Sequence, residues 1–93
     1  MESGRDLTVA QAKRRIAMED KIKRIIAEEL GCQQDEVLFR RSLANDLGMD
    51  GFDRIEIVMA LEEEFVINIP EEESDKWETV GNTIEYIKKA VQG

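Results

Sequence analysis

Histidine is absent from this sequence, and cysteine and proline each occur once, at Cys32 and Pro70. Without histidine there can be no Cys–His nucleophilic pair and no zinc site built from those two residue types, and a single cysteine excludes an internal disulfide framework. Cys32 follows Leu30-Gly31 and reads as an incidental thiol in a loop after a helix. No apolar run approaches the roughly 20 residues that a membrane-spanning helix needs, and the first residues contain no apolar signal core. The expectation is a cytoplasmic protein without membrane insertion. Arg5, Lys13, Arg14 and Arg15 make residues 1–17 basic, as in an organellar presequence, although Glu2 and Asp6 argue against one. With one proline and scattered glycines, helices are permitted almost everywhere.

What is present suits one small bundle. A chain of 93 residues has room for one core, and 42% hydrophobic content fills it while 37% charged content keeps its exterior solvated. The net charge of −8 is unevenly spread: residues 1–41 hold 9 basic and 8 acidic side chains, whereas residues 42–93 hold 4 and 13. The acidic part repels nucleic acid and anionic membrane and attracts partners with Lys/Arg patches. So charged a small domain is expected to be a monomer.

Hydrophobic spacing predicts helices. The first runs from about Val9 to Leu30, with Ile16, Ile22, Ile25, Ile26 and Leu30 at compatible intervals and Gly31 as its stop. Its part before Met18 is more basic and less apolar, which divides the chain into a basic extension, 1–17, frayed in its helix, and a domain, 18–93. A long connection, Cys32 to Met49, carries Val37, Leu38, Phe39, Leu43 and Leu47, expected to pin it to the bundle. The second helix spans about Gly51 to Phe65, capped by Asp50, with Asp53 at its third position. Val66-Ile67-Asn68-Ile69 is short and β-prone, and Pro70 ends it and fits the first turn of an acidic helix from Glu71 to about Lys76. Thr79 caps a last helix with Ile84, Ile87 and Val91 on one face and Lys88 and Lys89 near its end.

Successive residues lie about 100° apart around a helix, which gives the second helix two apolar stripes. Ile57, Val58, Leu61 and Phe65 form the longer one and are the expected core. Phe52, Ile55 and Met59 lie opposite, ringed by Glu56, Glu62 and Glu63. An apolar strip bordered by carboxylates suits transient docking, in which charge steers and apolar contacts hold. The alternative is that Phe52 and Ile55 pack under the long loop.

The run Asp46-Leu47-Gly48-Met49-Asp50-Gly51-Phe52-Asp53, with Glu56-Ile57-Val58-Met59-Ala60-Leu61-Glu62-Glu63-Glu64-Phe65 and Ile69-Pro70, resembles the central motif of bacterial-type acyl carrier proteins. The likeness extends from about Met18 to Val91, through Ile25-Ile26, Leu30-Gly31, Glu36-Val37, Thr79-Val80 and Ile84-Glu85-Tyr86-Ile87. It implies an all-α, four-helix bundle with a long first loop and a short third helix. It also implies non-catalytic carriage of acyl chains as thioesters of 4'-phosphopantetheine, in fatty acid or related biosynthesis. That arm is transferred from coenzyme A to the serine of an Asp-Ser-Leu motif. Here Asp50 matches the aspartate, Phe52 stands where leucine is usual, and Gly51 takes the serine's place. Glycine has no oxygen for the phosphodiester, so no cofactor is expected on this sequence. Ser3, Ser42 and Ser74 lack the flanking motif. The resemblance further implies docking to basic-patched, carrier-using enzymes through Asp50, Phe52, Asp53, Ile55, Glu56, Met59, Glu62 and Glu63.

Two readings of Gly51 stand: a carrier scaffold made inert by one substitution, or a natural arm-less interaction or regulatory module that keeps the docking surface. Phe52, Arg54 and Trp77 also depart from the family pattern, and Trp77 is expected at the rim of the acyl pocket, partly filling it. A calcium loop from Asp46 fails because Gly48 occupies a ligand position and Ile57 stands where the bidentate glutamate belongs. Loose divalent-cation binding by Glu62–Glu64 would only relieve repulsion. No carboxylate is flanked by a nucleophile or base, so no enzyme or metal site is expected.

Overall fold

A computed structural model describes residues 8–92. It is all-helical: α1 spans Val9–Leu30, α2 Gly51–Phe65, α3 Glu71–Ser74 and α4 Val80–Gln92, with one 3-10 turn, Gln34–Glu36, in the long first loop. The four-helix carrier-type bundle expected from the sequence is the fold observed.

Local chemistry sets each boundary. Thr8 accepts the Gln11 amide at 3.1 Å and Gln11 Oε1 accepts the Thr8 amide at 3.0 Å, closing a capping box at the start of α1. Gly31 ends α1 in the left-handed region, φ 70°, where a Cβ would be strained. At the start of α4, Thr79 Oγ1 accepts the Asn82 amide at 3.1 Å while Asn82 Oδ1 accepts the amides of Glu78 and Thr79. Pro70 precedes α3 as its cap rather than lying in its first turn, and α3 closes at Ser74, two residues short of expectation.

The core is built from Ile22, Ile26, Val37, Leu43, Ile57, Leu61, Ile69, Trp77, Val80, Ile84 and Ile87, with Ala27. At about 25 cal/mol per Å² of apolar surface removed from water, these side chains are the main force holding the helices together. Two ion pairs frame the packing: Lys21 with Glu64 between α1 and α2, at 2.9 Å, and Lys88 with Glu19 between α4 and α1.

Several expectations are corrected. Ile16 is exposed, because α1 meets the core only from Met18 onward. In the loop, Val37 and Leu43 are buried and Leu47 half-buried, but Leu38 and Phe39 remain half-exposed. Residues 66–69 form no strand: the single β-type pairing among the described residues joins Ser42 to Thr79, so the β-prone segment has no partner ladder. Val66 instead terminates α2 with φ 53° and ψ 53°, a left-handed conformation unfavourable for a β-branched residue. Residues 1–7, which include Ser3 and Arg5 of the basic extension, lie outside the described residues.

Candidate functional site

The candidate site is the N-terminal part of α2 and the face that continues from it. Asp50 holds an extended backbone, φ −105° and ψ −175°, and its Oδ1 accepts the Asp53 amide at 2.8 Å. Asp53 Oδ2 accepts the Asp50 amide in return, at 3.2 Å. This reciprocal pair places two carboxylates at the positive end of the helix, where they satisfy free amides and complement the dipole. Gly51 is the first helical residue, and a Cβ built there would meet nothing within 4 Å.

One helix, two fates: Ile57 and Leu61 are buried, with Val58 and Phe65 packed against the core, while Phe52, Ile55 and Met59 are 69%, 52% and 53% exposed. The long loop therefore does not cover Phe52 and Ile55. Glu56 and Glu63 are exposed on the same side. Glu62 differs: its Oε2 accepts the Ile69 amide at 2.8 Å, holding the segment before Pro70 against α2. Since Glu64 pairs with Lys21, the Glu62–Glu64 run is split among three tasks and is not one acidic cluster. Among the described residues, no group of three or more Cys, Asp or Glu side chains is placed to hold a metal ion, and no helix is long and apolar enough to cross a membrane.

Beside the strip lies a groove of about 330 Å³ between α2 and α3, lined by Arg54, Ile55, Val58, Met59, Glu62, Ile69, Glu71 and Ser74. Arg54 bridges the two helices: its Nη1 donates to Ser74 Oγ at 3.1 Å and pairs with Asp75. Sequence reasoning missed this tie. The one available signal was a cation at the start of α2 in an otherwise acidic stretch; nothing in the periodicity pointed to Ser74, 20 residues away. Trp77 does not line this groove. It is buried in the core with its ring 5.7 Å from that of Tyr86, and it borders the separate cleft between α3 and α4. The α3–α4 turn carries its side chain toward α4.

The hydroxyls near the site are committed. Ser74 is buried, with Oγ donating to the Glu71 carbonyl and accepting from Arg54. Ser42 is half-buried in the loop, and its Oγ accepts the Asn45 amide at 3.0 Å. Asp46, the first residue of the recognised run, spends Oδ2 on the Ser42 amide. The Cys32 thiol is pushed above its ordinary pKa by burial and then by Glu36, which keeps it protonated and a poor nucleophile at neutral pH.

The family described as "Phosphopantetheine attachment site" matches residues 20–87. The matched span runs from α1 into α4 and includes all of α2 and the loop before it. The group that gives the family its description is held through a hydroxyl oxygen, and the start of α2 offers only a glycine, so the residues there do not fit covalent attachment. With the match spread over most of its length and over an all-helical bundle of the expected order, this chain belongs to the phosphopantetheine-attachment family, the acyl-carrier type of domain.

Proposed function

We propose that this chain is a non-catalytic carrier-type docking module that offers the α2 strip to basic-patched, carrier-using enzymes and cannot take 4'-phosphopantetheine at Gly51. The observation that carries the reading is the pairing of an oxygen-free first residue with an open apolar strip immediately after it. Attachment needs an alkoxide to attack the pyrophosphate of coenzyme A, forming one phosphodiester bond as 3',5'-ADP leaves. No backbone atom of Gly51 supplies that nucleophile. Docking needs no such group. Phe52, Ile55 and Met59 lose water on contact, while Asp50, Asp53, Glu56 and Glu63 steer cationic surfaces; Glu62 contributes one remaining oxygen at the edge. The pathway proposed is fatty acid or a related acyl-chain biosynthesis, in the cytoplasm, where such enzymes would be engaged without cargo.

The intact mass of the protein and of Gly51→Ser, after incubation with coenzyme A and a broad-specificity phosphopantetheinyl transferase, tests this. The open space around a Cβ at this position supports acceptance of the serine without repacking. A mass gain in Gly51→Ser alone is expected, and identifies a carrier scaffold lacking only its hydroxyl. A gain in the unaltered chain overturns the proposal. No gain in either points instead to the natural arm-less module, whose transferase surface has diverged along with its serine.

A further inference from the structure

The long loop carries a second exposed surface, opposite in charge to the first. Leu38 and Phe39 are 49% and 48% exposed, and Arg40 and Arg41 follow them directly. With Asp46 these residues line a shallow groove of about 430 Å³. The groove is held in shape by the backbone: the Gly81 amide donates to the Phe39 carbonyl at 2.9 Å, the Val80 amide to the Arg41 carbonyl at 3.0 Å, and the Leu43 amide to the Glu78 carbonyl at 2.9 Å. The first turn of α4 thus finds acceptors in the loop. Gly81 also lets the Phe39 ring lie close against α4, since a Cβ there would come within 2.6 Å of it. About half of Leu38 and half of Phe39 stay in solvent beside two arginines, and core packing does not explain those exposed halves.

We propose that this loop groove binds the acidic α2 strip of a second copy of the chain. Complementarity of shape and charge selects that occupant. The groove is concave, apolar and cationic; the strip is convex, apolar and framed by Glu56 and Glu63, with Phe52 as its most exposed large side chain. An anionic bilayer is disfavoured, because a surface groove receives side chains better than it penetrates lipid, and the rest of residues 42–93 repels the same charge. The contact shares the α2 strip with the docking proposed above and rests on that strip being a binding face. It would therefore compete with enzyme docking, keeping a concentrated pool of the protein from engaging its partners.

The test is sedimentation velocity of the full chain from about 10 µM to about 1 mM, a range that brackets weak protein–protein association. Rising mean sedimentation coefficient with concentration is expected, together with amide NMR shifts confined to residues 38–41 and 52–63. Arg40→Glu should weaken self-association by about tenfold, and Glu56→Lys likewise, while a chain carrying both should recover it by charge exchange. Arg40→Glu should retain binding to a carrier-using enzyme, and Met59→Glu should lose both contacts. A protein that stays monomeric over the whole range, or sediments with phosphatidylserine vesicles without self-associating, overturns the proposal. Recovery that fails in the double variant also overturns it. If Met59→Glu abolishes self-association yet leaves enzyme binding intact, the docking proposal falls and this one stands.

Discussion

The two sides of α2 carry similar amounts of apolar side chain and meet opposite environments. Ile57 and Leu61 disappear into the core that residues of α1 and α4 share, whereas Phe52, Ile55 and Met59 stay about half or more exposed to water in an acidic surround. Residue type does not decide the matter, since isoleucine occurs on both sides. What decides it is angular position against a bundle that has one core to share among its helices. Keeping three large apolar groups hydrated carries a solubility cost, and the surrounding acidic groups offset part of that cost by holding water around the strip. The difference teaches that the sequence of one helix can encode stability and recognition on separate faces, so that each can be altered alone.

The sharpest way to break that separation is truncation on the two faces in turn. Leu61→Ala should destabilise the fold by about 2–5 kcal/mol in urea unfolding, through lost burial and the cavity left behind. Met59→Ala should change stability by no more than about 0.5 kcal/mol while lowering affinity for a carrier-using enzyme in a calorimetric titration. If Met59→Ala proves as destabilising as Leu61→Ala, the exposed face is structural and the separation fails. A smaller effect is expected at the start of the helix, which both faces share. Asp50→Ala removes the cap that accepts the Asp53 amide and should cost about 1 kcal/mol, with a fall in partner on-rate at low salt as the second readout. The smallest lies at the other end of α2. Val66→Gly places a residue free of Cβ strain at φ 53° and should raise the unfolding free energy by up to about 1 kcal/mol; a loss of stability would mean that the valine side chain packs despite its exposure.

Much of this was legible before the structure. Helix starts were written in single residues, Asp50 and Thr79, whose side chains reach the backbone three residues on, and stops in Gly31. The two stripes of α2 followed from spacing alone, and their fates matched the longer-stripe argument. What was not legible depends on contacts between distant segments. Periodicity gave Ile16 the same standing as Ile22, but α1 outruns the helices that could cover its first half. The β-prone 66–69 segment lacked a neighbouring strand, which no local propensity records. Glu62 looked like one more surface carboxylate until the turn before Pro70 brought the Ile69 amide to it, and the same folding back of the chain brought Ser74 and Asp75 to Arg54. The direction of Trp77 likewise depended on how the α3–α4 turn was wound.

The three backbone bonds between residues 39–43 and 78–81 have a consequence for how the chain assembles. The helices form from contacts a few residues apart, but these bonds join residues 35 to 42 positions apart in sequence, so their loop entropy must be overcome after the helices have met. Val37 and Leu43 anchor the loop in the core, so it is the half-exposed stretch between them, Leu38 to Arg41, that these bonds hold down and that opens first when they break. The donor amides of these bonds, Leu43 in the loop and Val80 and Gly81 in α4, should exchange with deuterium through a partial opening that leaves the α1–α2 pair intact. Recognition surfaces on the loop can then be switched off without unfolding the molecule.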